Sequence, residues 1–261
     1  MTWRRSAGLL ALLTPLVLGG CGGAGTAPRA TIFVVPQAPA TAAPPVPSAS
    51  GATASPAAAA RAPQGRLTVQ VTRPVRLHAS PGGPVVGGVA PRTQFGSATV
   101  LPVVRRRGSW LGVISSALPN GRIGWVAVSA ALVPYRSDYG IVASLRRRQV
   151  VVRRAGRVVM RFPVAIGGPS TPTPTGSFAV TDKLLTEDPA SPYGCCILAL
   201  SAHQPNTPQG WGGGDRIAIH ATDLPGTIGS AASLGCLRAP AADVRRLVHA
   251  IPLGTVVTIS A

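Results

Sequence analysis

From Arg66 onward the chain alternates apolar and polar residues in short runs cut by glycine and proline, a texture that favours short strands over long helices. "RLTVQVTRPVRLHASPGGPVVGGV" and "SWLGVISSALPNGRIGWVAVSAALVPY" both read this way, with Pro119-Asn120-Gly121 as a hairpin turn. Strands at this spacing predict a small β-barrel over 66–135. A second block, "IVASLRRRQVVVRRAGRVVMRFPVAIG", predicts two or three strands with a turn at Ala155-Gly156. The prolines of "GPSTPTPTGSF" fix an extended loop from Gly168 to Phe178. Residues 182–215 mix one apolar stretch with turn signals and are expected to form a long loop or lid. "RIAIH" is a strand ending at His220, and "TVVTI" a closing strand.

One helix is clear. In "APAADVRRLVHAI", Val244, Leu247, Val248 and Ile251 make one apolar face, Pro240 suits its start, and Pro252 and Gly254 stop it. His249, near its C-terminal end, gets no catalytic role. The fold class is therefore mainly β: a small barrel, then a β-rich domain with one helix just after Cys236.

The first 65 residues have a different texture. Arg4 and Arg5 precede an apolar run, Leu9 to Leu18, too short to span a bilayer comfortably. Leu18-Gly19-Gly20-Cys21 resembles a bacterial lipobox, which implies a signal peptide over 1–21 and a lipid on Cys21. An ordinary signal peptide is the alternative, and both place the mature chain outside the cytoplasm. Residues 22–65, rich in Ala, Pro, Ser and Thr, predict a disordered tether. Its apolar island, Ile32 to Val35, has no assignment. The formal charge is +18, and of 25 basic residues only Lys183 is lysine. Such a surface suits an anionic cell envelope. No nucleic-acid motif accompanies it, so nucleic acid is not expected as a partner.

Candidate chemistry lies in "IHATDLPGTIGSAASLGCLR", where His220 and Cys236 stand sixteen residues apart. A thiolate is the nucleophile, and it needs a base or a positive field. Arg238 and the following helix start supply a field, His220 a base, and the N–H groups from Leu234 through Gly235 to Cys236 a candidate oxyanion hole. Spacing alone is a weak signal and favours a core histidine and a buried thiol over a catalytic pair. Zinc fits poorly, because Cys195-Cys196 lack paired ligand spacing; no metal or cofactor is expected.

Two resemblances sharpen this. Trp110, Asn120-Gly121 and Gly124-Trp125-Val126 resemble a bacterial SH3-like domain over 66–135, with its tryptophans in the core. "FPVAIGGPSTPTPTGSF", "RIAIH" and "SLGCLR", in that order, resemble the L,D-transpeptidase catalytic domain (YkuD type) over 138–261. The resemblance implies cross-linking of peptidoglycan stem peptides, and so a part in wall biogenesis and cell shape. It makes Cys236 the nucleophile and His220 the base. The Ala221 carbonyl orients the ring, and Ser233, Gly235 and Arg238 serve as pocket residues.

Three departures stand out. Leu234 replaces the family's histidine, and Ala221 replaces its usual glycine, where a methyl group is expected to narrow the site. Cys195 and Cys196 fall in the expected lid. With Cys21 lipidated, three cysteines remain; they can bridge to Cys236, bridge to each other, or stay reduced. A wall-binding pseudoenzyme and a cysteine carboxypeptidase or amidase are the competing readings.

Overall fold

The computed structural model describes residues 32–36, 65–188, 190–207 and 214–261. The expected signal peptide, the Cys21 lipidation site and nearly all of the expected tether lie outside the described residues. The apolar island left unassigned by sequence forms a strand, β1 (Ile32–Val34).

The first block forms seven strands: β2 (Arg66–Val71), β3 (Val75–His78), β4 (Val85–Val89), β5 (Val100–Arg107), β6 (Trp110–Val113), β7 (Gly124–Ala127) and β8 (Leu132–Ser137). They pair antiparallel in the order β4-β3-β7-β6-β5-β2-β8. Val69, Val71, Leu77, Leu111, Val113 and Val126 fill the core. Trp125 is buried and the Arg107 guanidinium lies 5.6 Å above its ring. Asn120-Gly121 does make a turn, closed by Arg122 N–H to the Pro119 carbonyl (3.1 Å), with Gly121 at φ +77°. The turn sits in the longer connection 114–123 rather than in a tight hairpin. The Asn120 amide is used elsewhere: Nδ2 donates to the His203 carbonyl (2.7 Å) and Oδ1 accepts from the His203 N–H (2.9 Å), which ties the two blocks together.

The second block contains β9 (Tyr139–Ser144), β10 (Gln149–Arg154), β11 (Arg157–Pro163), β12 (Ile166–Gly167), β13 (Gly176–Thr186), β14 (Cys196–His203), β15 (Arg216–His220), β16 (Ala231–Ser233), β17 (Leu237–Arg238), α1 (Ala241–Ala250) and β18 (Val256–Ser260). The main sheet runs β11-β10-β9-β18-β13-β14-β15-β17, and β1 adds antiparallel to β13. The hairpin β10–β11 turns at Ala155 and Gly156, both at positive φ (47° and 81°), as a two-residue primed turn requires. The helix appears where its apolar spacing places it: Val244, Leu247, Val248 and Ile251 are fully buried against the sheet.

The loop expected over 182–215 is corrected in part. Residues 182–186 complete β13, and 196–203 form β14, a central strand. Seven of the eight residues of β14 are buried, so the strand lacks the alternation that marks a half-exposed one. Its even-numbered residues face α1 and the main core, while Ile197 joins a smaller cluster on the other face with Leu184, Ala218, Tyr193 and Cys236.

Candidate active site

Strand pairing brings the two candidate residues together. β15 and β17 are parallel neighbours, with Ile219 opposite Leu237 and His220 opposite Arg238. Side chains alternate across a strand, so Ile219 and Leu237 point into the core under α1. His220 and Arg238 take the other face, and Cys236, one residue before β17, shares it beside Ala218. That face is the small cluster already noted.

His220 is 3% exposed. Its Nδ1 donates to the Ala221 carbonyl, so Nε2 carries the free lone pair. Burial pushes the imidazole down to about 4 despite that bond, and the Tyr193 carbonyl acts with Ala221 to favour the charged ring. The Tyr193 ring meets His220 edge-on, with centroids 4.9 Å apart. Burial pushes the Cys236 thiol up to about 11, against the opposing pull of the Ala218 N–H and Arg238. The positive field expected to expose a thiolate is thus outweighed by desolvation. At neutral pH Cys236 is a thiol and His220 a neutral imidazole, on the same face of the sheet.

The nucleophile loop is braced from behind. Ser233 Oγ donates to the Cys236 carbonyl (2.6 Å) and accepts from the Gly235 N–H (3.1 Å). Thr173 Oγ1 donates to the Gly235 carbonyl (2.8 Å) and accepts from the Gly167 N–H (2.8 Å). Thr171 Oγ1 (3.3 Å) and the Gly168 N–H (2.9 Å) both donate to the Ser233 carbonyl. Gly235 has φ +112°, and a methyl there would lie 2.9 Å from Ile217 Cδ1 and 3.1 Å from Gln204 Cγ. Only glycine fits that turn without displacement.

Other expected residues divide. Leu234 is 51% exposed, and its carbonyl accepts from Thr207 Oγ1 (2.9 Å). Arg238 is half-buried, and its Nε has no hydrogen-bond partner among the described residues. Ala221 is fully buried, and its methyl belongs to the main core instead of narrowing the site. Room for it comes from Gly194, where an added methyl would lie 2.7 Å from Ala221 Cβ. Cys195 and Cys196 are bonded to each other and Cys236 is free, which also removes both from any metal-ligand set. Among the described residues no three His, Cys, Asp or Glu side chains gather into a metal-binding group. Two cavities, of about 310 and 400 Å³, lie where the blocks meet, and neither is lined by His220 or Cys236.

Sequence reading missed Tyr193, Gln204, Thr171 and Thr173. The threonines stand inside the quoted proline-rich loop, where a buried hydroxyl facing a carbonyl leaves no trace in the pattern. Tyr193 meets His220 only through the pairing of β14 with β15.

The second block has relatives among known proteins. Residues 138–259 match the family described as the L,D-transpeptidase catalytic domain, YkuD. The protein of Bacillus subtilis (strain 168) named "Putative L,D-transpeptidase YkuD" is 35% identical over 127 residues, 49% of this chain and 69% of its own length. Its namesake in Bacillus licheniformis is 34% identical over 128 residues, 49% and 67% of the two chains. Among solved structures, an L,D-transpeptidase from Mycobacterium tuberculosis H37Rv is 18% identical, with TM-score 0.41 over 53% of this chain and 72% of that one. On the strength of the two Bacillus relatives, the chain belongs to the YkuD family of L,D-transpeptidase catalytic domains.

Proposed function

We propose that this chain is a peptidoglycan L,D-transpeptidase that works through a thioester on Cys236. The observation that carries the reading is the anchored tautomer of His220: with Nδ1 tied to the Ala221 carbonyl, Nε2 is left as the acceptor on the face shared with Cys236. Because the resting pair is neutral, the S–H proton moves to Nε2 as sulfur attacks the carbonyl of the third stem residue. Two backbone carbonyls, of Ala221 and Tyr193, hold the imidazolium that forms.

The Gly235 N–H is committed to Ser233, so the N–H groups of Leu234 and Cys236 are assigned to the oxyanion. Ser233, expected as a substrate residue, acts by bracing the loop. Arg238, with its unpartnered Nε, is assigned to a carboxylate of the stem peptide. The C–N bond to D-alanine breaks and the leaving amine takes the proton from His220. An acceptor amine then attacks the thioester, gives its proton to Nε2 and frees the thiol. The thioester retains the acylating power of the cleaved amide, so no nucleotide is needed outside the cell.

The rest of the chain is assigned accordingly: a lipid on Cys21, a tether, and an SH3-like domain over 66–135 that with the basic surface holds anionic envelope. The site of action is the outer face of the cytoplasmic membrane and the wall. One observation favours a second reading, a wall-binding protein with an impaired site: exposed Leu234 stands where the family has a histidine. Incubating the chain with a disaccharide-tetrapeptide and an amine acceptor separates them. Transfer gives a cross-linked product with loss of D-alanine, hydrolysis gives the tripeptide, and an impaired site gives neither.

A further inference from the structure

Cys195 and Cys196 are bonded to each other at the start of β14. A bridge between adjacent residues closes a ring through their shared peptide and removes backbone freedom there. That peptide is clamped on several sides. The Cys195 carbonyl accepts from the Thr186 N–H (3.0 Å) on β13, and the Cys196 carbonyl from the Ala221 N–H (3.0 Å). Cys195 Sγ lies 3.8 Å from the Ala241 carbonyl at the start of α1. The residues just before it touch the site: Gly194 packs on Ala221 and Thr222, and the Tyr193 ring rests on His220. Ala221 is thus held by Cys196 through its N–H while it holds His220 through its carbonyl.

We propose that the Cys195–Cys196 disulfide is a redox-sensitive positioning element for His220. Closed, it keeps 193–196 seated on the Ala221 peptide and the imidazole ring. Opened, it releases that segment and slows thioester formation at Cys236. Cys196 is fully buried and Cys195 only partly, so an external dithiol attacks Cys195 Sγ and expels the Cys196 thiolate. The second thiol of the reductant then breaks the mixed disulfide. The reductant leaves as a disulfide, and the chain gains two electrons and two protons. Cys236 takes no part and stays free. The proposal rests on the reading of Cys236 as nucleophile and His220 as base.

The test uses the mature chain in three states: oxidised, reduced with dithiothreitol and desalted without oxygen, and re-oxidised. The rate of Cys236 acylation by meropenem and the His220 ring resonances are read in each. Reduction is expected to slow acylation by up to roughly a hundred-fold, the order a misplacement of about 1 Å costs, and to move the His220 resonances as Tyr193 departs; re-oxidation restores both. Cys195→Ser/Cys196→Ser is expected to be slow and indifferent to reductant. Rates equal within about two-fold, or faster after reduction, with unmoved His220 resonances, overturn the proposal. If the oxidised chain forms no adduct, the catalytic reading fails, and the resonances alone then decide the positioning role.

Discussion

Gly194→Ala tests how the ring-bearing segment is held. Gly194 sits at φ +58°, a region that costs an L-residue about 1–2 kcal/mol. The added methyl would lie 2.7 Å from Ala221 Cβ, 2.9 Å from the Thr222 backbone nitrogen and 3.2 Å from the Ala221 carbonyl carbon. None of these is the end of a flexible side chain, so backbone must shift, at the usual overpacking cost of about 1–3 kcal/mol. The expected loss in urea unfolding is therefore about 2–5 kcal/mol. Acylation of Cys236 should fall as well, because the displaced peptide carries the carbonyl that orients His220. Ala221→Gly in the same chain removes the 2.7 Å clash but neither the Thr222 contact nor the φ penalty. The double variant should thus regain about 1 kcal/mol, a measurable coupling. A Gly194→Ala variant within about 0.5 kcal/mol of the parent, or strictly additive substitutions, would refute the argument that Gly194 makes room for Ala221.

Three further outcomes follow from the site. His220 has a folded-state value of about 4, below its usual 6.5, so the unfolded chain binds its proton first; stability should fall by about 3 kcal/mol as pH drops from 6.5 to 4, and His220→Gln should flatten that slope in urea titrations. Cys236 is shifted the other way, to about 11 from 9, so stability should also decline above pH 9, and Cys236→Ala should remove that decline. Thr173→Val keeps the shape but orphans the Gly235 carbonyl and the Gly167 N–H, at about 2–4 kcal/mol by chemical unfolding; a loss under about 0.5 kcal/mol would mean that the loop is not braced there.

Much of this was legible in sequence where a local rule decides the outcome. The Ala155-Gly156 turn, the strand ending at His220 and the apolar face of α1 all depend on neighbours in the chain. β14 was hidden because burial on both faces erases alternation, leaving an apolar stretch that reads like part of a lid. The Asn120-Gly121 turn was visible, but not the use of the Asn120 side chain to grip His203 across the junction. Ala221 looked like a hindrance because its compensating partner, Gly194, is twenty-seven residues away and adjacent only through β14 and β15. Three cysteine pairings were open until the fold showed Cys195 bonded to Cys196 and Cys236 free. Desolvation of the thiol was likewise unreadable, since it depends on what Tyr193 and Ala218 cover.

The proposed function requires Cys236 to be a working acyl acceptor with His220 as its base. Intact-protein mass spectrometry after incubation with meropenem tests it most directly, with Cys236→Ala and His220→Gln alongside. One drug-mass adduct is expected on the parent chain, none on Cys236→Ala, and strongly slowed labelling of His220→Gln. A folded chain with a free Cys236 thiol and no adduct, or an adduct that survives Cys236→Ala, would contradict it.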